Sequence, residues 1–233
     1  MSNLSGDKSL KLAIFDFDGT LFPKDTLPFL LNEWRREGRS LRRLFAAYAS
    51  VGALYVRYKL GWERGLSREM MRRTALQRVT RLFSGMSEAE ISAFFKRNAE
   101  LIVPLLRPSV LAELQWAKEQ GCHTVLLSGG YETLMAHVGT AIGIDTVIGT
   151  ALNYENGIID AERELDIVCG DGKEETLSTV FAGQPVEWAE SIAYADSYSD
   201  LPILRRVGHP VAVCPDRDLA AMLPELGWRV IKE

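Results

Sequence analysis

Apolar and polar positions change period twice along the chain. Residues 11–16 (KLAIFD) form a short apolar run ending in an acid, with Gly19 close behind, the pattern of a buried strand feeding a loop. From Thr26 to about Val103 the spacing turns helical: Leu41, Leu44, Phe45, Tyr48, Val51 and Tyr55 recur at threes and fours, then Met70, Met71 and Leu76, then Ile91, Phe94 and Phe95. Breaks at Gly61–Gly65 and Ser84–Ser87 divide this segment. Ser87 followed three positions later by Glu90 predicts a capping box.

After Pro108 the pattern alternates. Helices are predicted over 109–120, 131–142, 173–181, 201–207 and 217–223, and strands over 123–127, 146–148, 191–195, 211–213 and 228–231. Asn156-Gly157, between ALNYE and IID, is a two-residue hairpin signal. Strands alternating with helices imply an α/β fold, a parallel sheet with helices on both faces, interrupted after its first strand by an all-helical insertion. The expected division is a core of residues 1–22 and 105–233 with a cap of residues 23–104.

Composition narrows the partners. With 233 residues and 47% hydrophobic content, the chain can form one large domain or a core with a smaller insertion. A net charge of -4 carries no nucleic-acid signature. The charge is uneven, however: residues 35–81 hold thirteen Arg or Lys against three acids, a surplus of ten. That surplus fits either an anionic partner or a solvated face of Arg-rich helices. Cys122, Cys169 and Cys214 form no CxxC pair, as expected of a reduced cytoplasmic compartment. The first residues lack a signal-peptide pattern, and the uncharged stretch from Leu44 to Val56 is too short to span a bilayer.

Four short motifs carry candidate chemistry. Asp16-Phe17-Asp18-Gly19-Thr20 places two acids at the C-terminal edge of a buried strand, where open α/β sheets bind ligands. Ser128-Gly129-Gly130 closes a second buried strand ahead of a helix, as an anion cradle or a plain N-cap. Lys173 follows Gly170-Asp171-Gly172 at a helix start, where an ammonium can balance a phosphate. Asp196 and Asp200 flank Ser197-Tyr198-Ser199 beyond a third strand, spaced to hold a hard divalent cation through oxygen, with Asp200 also placed to cap the next helix. His123, His137 and His209 show no paired ligand spacing and read as structural.

In this order, DFDGT, SGG, GDGK and ADSYSD resemble the haloacid dehalogenase superfamily, in particular its phosphoserine-phosphatase-like subfamily, over roughly residues 10–231. The resemblance implies a Rossmann-like core with a helical cap and a Mg²⁺-dependent phosphatase acting on a small phosphorylated molecule. It further implies Asp16 as nucleophile, Asp18 as general acid and base, and Ser128, Gly129 and Lys173 around the phosphoryl oxygens. Mg²⁺ is expected on Asp16, the Asp18 carbonyl and Asp196, with Asp200 completing or orienting that shell. Two departures bear on substrate. Asp25 stands where phosphoserine phosphatases carry Glu, as a substrate contact or as the cap of the first inserted helix, and ADSYSD replaces GDGxND. Two other readings stand beside the leading one: a lipid-phosphate phosphatase at an anionic membrane surface, and a catalytically silent phosphate-binding protein.

Overall fold

The computed structural model describes residues 9–59 and 68–232, so the predicted break at Gly61–Gly65 lies outside the described residues. Strand β1 (Leu12–Phe15) is buried along its whole length, as a central strand of a doubly covered sheet must be. Four helices follow among the described residues: α1 (Thr26–Arg36), α2 (Leu41–Lys59), α3 (Arg68–Thr80) and α4 (Glu88–Ile102). Helix α4 starts at the predicted capping box, with the Ser87 hydroxyl accepting the Glu90 N–H and the Glu90 carboxylate accepting the Ser87 N–H.

The rest of the chain alternates as the pattern predicts: α5 (Pro108–Glu119), β2 (His123–Tyr131), α6 (Glu132–Ile142) and β3 (Thr146–Thr150). A hairpin of β4 (Tyr154–Glu155) and β5 (Ile158–Ile159) turns at Asn156-Gly157. Then come α7 (Asp171–Val180), β6 (Ile192–Ala195), α8 (Leu201–Arg206), β7 (His209–Val213), α9 (Arg217–Leu226) and β8 (Arg229–Ile231). The main sheet is six-stranded and parallel, in the order β3-β2-β1-β6-β7-β8. Strand order therefore reverses direction between β1 and β6, and the crevice beyond their C-terminal ends is where such sheets bind ligands.

The inserted helices share a hydrophobic core with one face of this sheet. Phe15, Phe17 and Leu21 belong to the same buried cluster as Trp34, Phe83, Phe94 and Phe95. Tyr131, at the end of β2, stacks on Phe95 with ring centroids 5.3 Å apart, and its hydroxyl lies 3.0 Å from Thr80 Oγ1. The hairpin adds backbone ties, with Ile159 N–H donating to Met86 O at 3.0 Å and Glu88 N–H to Gly157 O at 3.0 Å. The other sheet face packs under α7 and α8 through Leu12, Ile14, Val125, Leu177 and Leu204. No helix of the described residues is long and apolar enough to cross a membrane.

Candidate active site

Strand register assembles the site. Phe15 pairs with Leu126 of β2 and with Tyr194 of β6, so the residues just beyond these partners emerge side by side. Asp16 leaves β1 with its N–H still bonded to Tyr194 O at 3.0 Å. Phe17, Leu21 and Phe22 are fully buried and anchor the loop that carries the two acids. Gly19 turns this loop at φ +87°, and a Cβ there would stand 2.1 Å from Asp196 Oδ2. Glycine is thus required twice at this position, by backbone conformation and by the adjacent carboxylate.

Beyond the strand ends lies a compact charge cluster. The buried Lys173, in the first turn of α7, donates to Asp16 Oδ1 at 2.7 Å and to Asp200 Oδ1 at 2.5 Å. Thr20 Oγ1 donates to Asp16 Oδ2 at 3.0 Å, and Ser197 Oγ to Asp200 Oδ2 at 3.0 Å. Burial opposes the Lys173 charge, but the Asp16 and Asp200 carboxylates outweigh it and hold the ammonium protonated. Burial pushes Asp16 up, and the Asp200 charge adds to this, against the pull of Lys173 and Thr20. Asp196 is pushed up to about 8, first by burial and then by its neighbours Asp16 and Asp200. One carboxylate oxygen from each of Asp16, Asp196 and Asp200 lies within 4.8 Å of the others. This all-oxygen donor set fits a hard divalent cation, whose charge would relieve the mutual repulsion.

Asp18 points elsewhere. Its Oδ1 accepts the Thr26 N–H at 3.0 Å and also the Thr26 hydroxyl. Burial raises its carboxyl to about 7, against the Thr26 bonds and with help from the charges of Asp16 and Asp25. Asp25 occupies the N-cap position of α1 but makes no side-chain capping bond, so the capping expectation is corrected in favour of Asp18. The same correction applies to Asp200 at the start of α8, whose carboxylate turns to Lys173 and Ser197 instead of the helix N–H groups.

Ser128 and Gly129 emerge on the strand next to β1, yet neither starts a helix. The strand continues through Tyr131, which pairs with Thr150, and α6 begins only at Glu132. The buried Ser128 Oγ accepts the Gly130 N–H at 3.0 Å. A Cβ on Gly129 would stand 3.0 Å from Val168 O. Nε2 of His123 lies 2.8 Å from Thr146 Oγ1, and Nε2 of His137 lies 3.1 Å from Ser92 Oγ.

Four contributors were not assigned from the sequence. Thr20 and Thr26 orient the two acids; Thr20 sits inside the DFDGT motif, but Thr26 carries no local signal. Glu69 and Arg72 reach the site from α3. The Glu69 carboxylate stands where a Cβ of Gly170 would be, and the Arg72 charge draws Asp196 downward. Only the fold brings these two to the core loops.

The family model of haloacid dehalogenase-like hydrolases matches residues 13–205. The phosphoserine phosphatase SerB1 of Mycobacterium tuberculosis is 27% identical over 222 residues, covering 94% of this chain and 69% of that protein. The histidinol-phosphatase of Neisseria meningitidis is 30% identical over 155 residues, covering 62% of this chain and 68% of that protein. Among solved structures, a protein of unknown function from Bordetella pertussis Tohama I superposes with a TM-score of 0.78 at 24% identity, covering 96% of this chain and 99% of that one.

Proposed function

The chain belongs to the haloacid dehalogenase-like hydrolases, and on that premise we propose that it is a Mg²⁺-dependent phosphatase that hydrolyses small phosphate monoesters through a phospho-aspartate on Asp16. The observation that carries this reading is the division of labour between the two acids of one loop. Asp16 is held in a charged cluster by Lys173 and Thr20, while Asp18 is held apart from it on Thr26. The names of the mycobacterial and neisserial relatives, both phosphatases, support it.

In this reading an Asp16 carboxylate oxygen attacks phosphorus, and the bond to the ester oxygen breaks. Asp18 gives its proton to the departing alkoxide. Asp18 then takes a proton from the water that attacks the phospho-aspartate, releasing phosphate and restoring both carboxyl groups. Thr26 holds Asp18 in place for both transfers. The Lys173 ammonium and the Ser128–Gly129 strand end receive the transferring phosphoryl oxygens, where fixed positive charge and donors stabilise the transition state. Mg²⁺, held by Asp16, Asp196, Asp200 and the Asp18 carbonyl, would supply the charge neutralisation that lets a carboxylate approach a phosphate dianion. Residues 23–104 act as a cap that excludes bulk water. Asp25, exposed where the cap leaves the core, serves as a contact for the substrate's leaving group.

The test is turnover of p-nitrophenyl phosphate by the purified protein. Hydrolysis that requires Mg²⁺ and stops in EDTA is the expected result. Full activity in EDTA would contradict the metal role, and the absence of hydrolysis across a panel of phosphorylated metabolites would contradict the phosphatase reading.

A further inference from the structure

Helix α2 has two apolar faces and buries one. Leu44, Ala47 and Leu54 turn into the protein and are at most 5% exposed. Leu41, Phe45, Tyr48, Tyr55 and Val56 form a second stripe at helical spacing and stand outward, with Phe45 68% and Leu41 53% exposed. Single exposed apolar residues are ordinary on any protein surface. Here, five of the twelve exposed large hydrophobics among the described residues share one stripe of one helix, which makes it a patch that calls for an occupant.

The surrounding charge selects that occupant. No acidic residue occurs between Glu37 and Glu63, so α2 carries none, whereas Arg42 and Arg57 are exposed beside the stripe. The segment 35–81 has a surplus of ten positive charges, and the remainder of the chain a deficit of fourteen. A second copy joined through the same face by a two-fold axis would set basic segment against basic segment. An anionic bilayer offers what this face lacks, negative charge around an apolar interior. Exposed Phe and Tyr on the apolar side with arginines at the flank is the composition of helices that lie in the lipid interface.

We propose that the outer face of α2 docks on the surface of an anionic lipid bilayer, with Phe45, Tyr48 and Val56 entering the headgroup region and Arg42 engaging lipid phosphates. The placement has a functional consequence. Helix α2 packs against α3, whose Glu69 stands over Gly170 at the edge of the charge cluster, so a docked molecule holds its candidate active site one helix away from the lipid. Docking is a property of the surface and does not depend on the phosphatase reading.

Vesicle flotation of the full chain tests it, with phosphatidylglycerol–phosphatidylcholine vesicles compared with phosphatidylcholine alone. Binding to the anionic vesicles at low ionic strength, suppressed by high salt, is expected, because exposed charges are screened over about 8 Å at physiological ionic strength. Phe45→Ser should weaken binding about ten-fold, from the lost apolar burial, and Arg42→Gln about five-fold, from one lost basic contact. Both positions are exposed, and circular dichroism melting of each variant should match the parent. Absence of flotation at low salt overturns the proposal, as does flotation that both variants leave unchanged. A concentration-dependent dimer in sedimentation equilibrium that Phe45→Ser abolishes, with no flotation, assigns the face to a second copy and overturns it equally.

Discussion

The Asp18 carboxylate accepts the backbone N–H of Thr26 at 3.0 Å, so the second acid of the DFDGT motif serves as the N-terminal cap of α1. One side chain thereby links the DFDGT loop to the first inserted helix. The two roles separate by mutation. Asp18→Asn keeps a good capping group but loses the ionisable one, so turnover should fall about 10²–10⁴-fold with little change in melting temperature. Asp18→Ala loses both, and should also cost about 0.5–2 kcal/mol of stability. Parallel kinetics and thermal melts of the two variants check this; equal melting temperatures would contradict the capping role.

Gly19 sets the distance between the two acidic loops. An alanine there forces both a left-handed backbone onto a residue with Cβ and a collision with Asp196 Oδ2. Since Asp196 is a proposed metal ligand, Gly19→Ala should raise the Mg²⁺ concentration needed for half-maximal turnover. A titration of activity against Mg²⁺ reads this directly, and an unchanged midpoint would separate Gly19 from the metal site.

Lys173 is buried between Asp16 and Asp200, so its removal leaves carboxylates facing one another without a cation. Breaking a buried pair by deleting one partner costs about 3–5 kcal/mol. Lys173→Met should therefore melt far below the parent in EDTA. Mg²⁺ should raise its melting temperature more than it raises the parent's, because the ion then supplies the compensating charge that the ammonium no longer provides. Thermal melts of both proteins with and without Mg²⁺ provide the comparison.

Away from the site, Asp145 fastens the start of β3 to β2 by accepting the Thr124 N–H at 2.8 Å and the Thr124 hydroxyl at 2.7 Å. Partial burial opposes ionisation, but these two bonds outweigh it, aided by the charges of His123 and Lys118, and the carboxyl is held below its ordinary range. A depressed folded value means that the stabilisation is complete above the unfolded pKa, about 3.9, and is lost as pH falls through the folded one. The stability difference between the parent and Asp145→Ala should be on the order of 1 kcal/mol near neutrality, a figure kept low because the carboxylate is exposed. It should shrink below about pH 4. Denaturant melts across that range test the sign, and a gap that widens in acid would contradict it.

Most of this architecture was legible in the chain because the signals were local. The period change marks where strands give way to the inserted helices, Asn156-Gly157 marks its hairpin, and Ser87 with Glu90 marks the start of α4. What escaped were long-range decisions. SGG reads as the end of a strand, but β2 runs on through Tyr131, whose ring packs against Phe83 and Phe95. Asp25 and Asp200 both hold N-cap positions by sequence, yet neither side chain caps, since Asp18 reaches α1 first and Lys173 claims Asp200. Periodicity identified α2 as amphipathic but could not tell which of its apolar positions the fold would bury.

The central claim is the covalent role of Asp16, and the most direct measurement is acid-quenched labelling with radiolabelled p-nitrophenyl phosphate in the presence of Mg²⁺. The parent protein should retain label in a hydroxylamine-sensitive acyl phosphate that peptide mass spectrometry places on Asp16, and a folded Asp16→Asn protein should retain none and turn over no substrate. Label on another residue, or near-normal turnover by Asp16→Asn, would contradict the account.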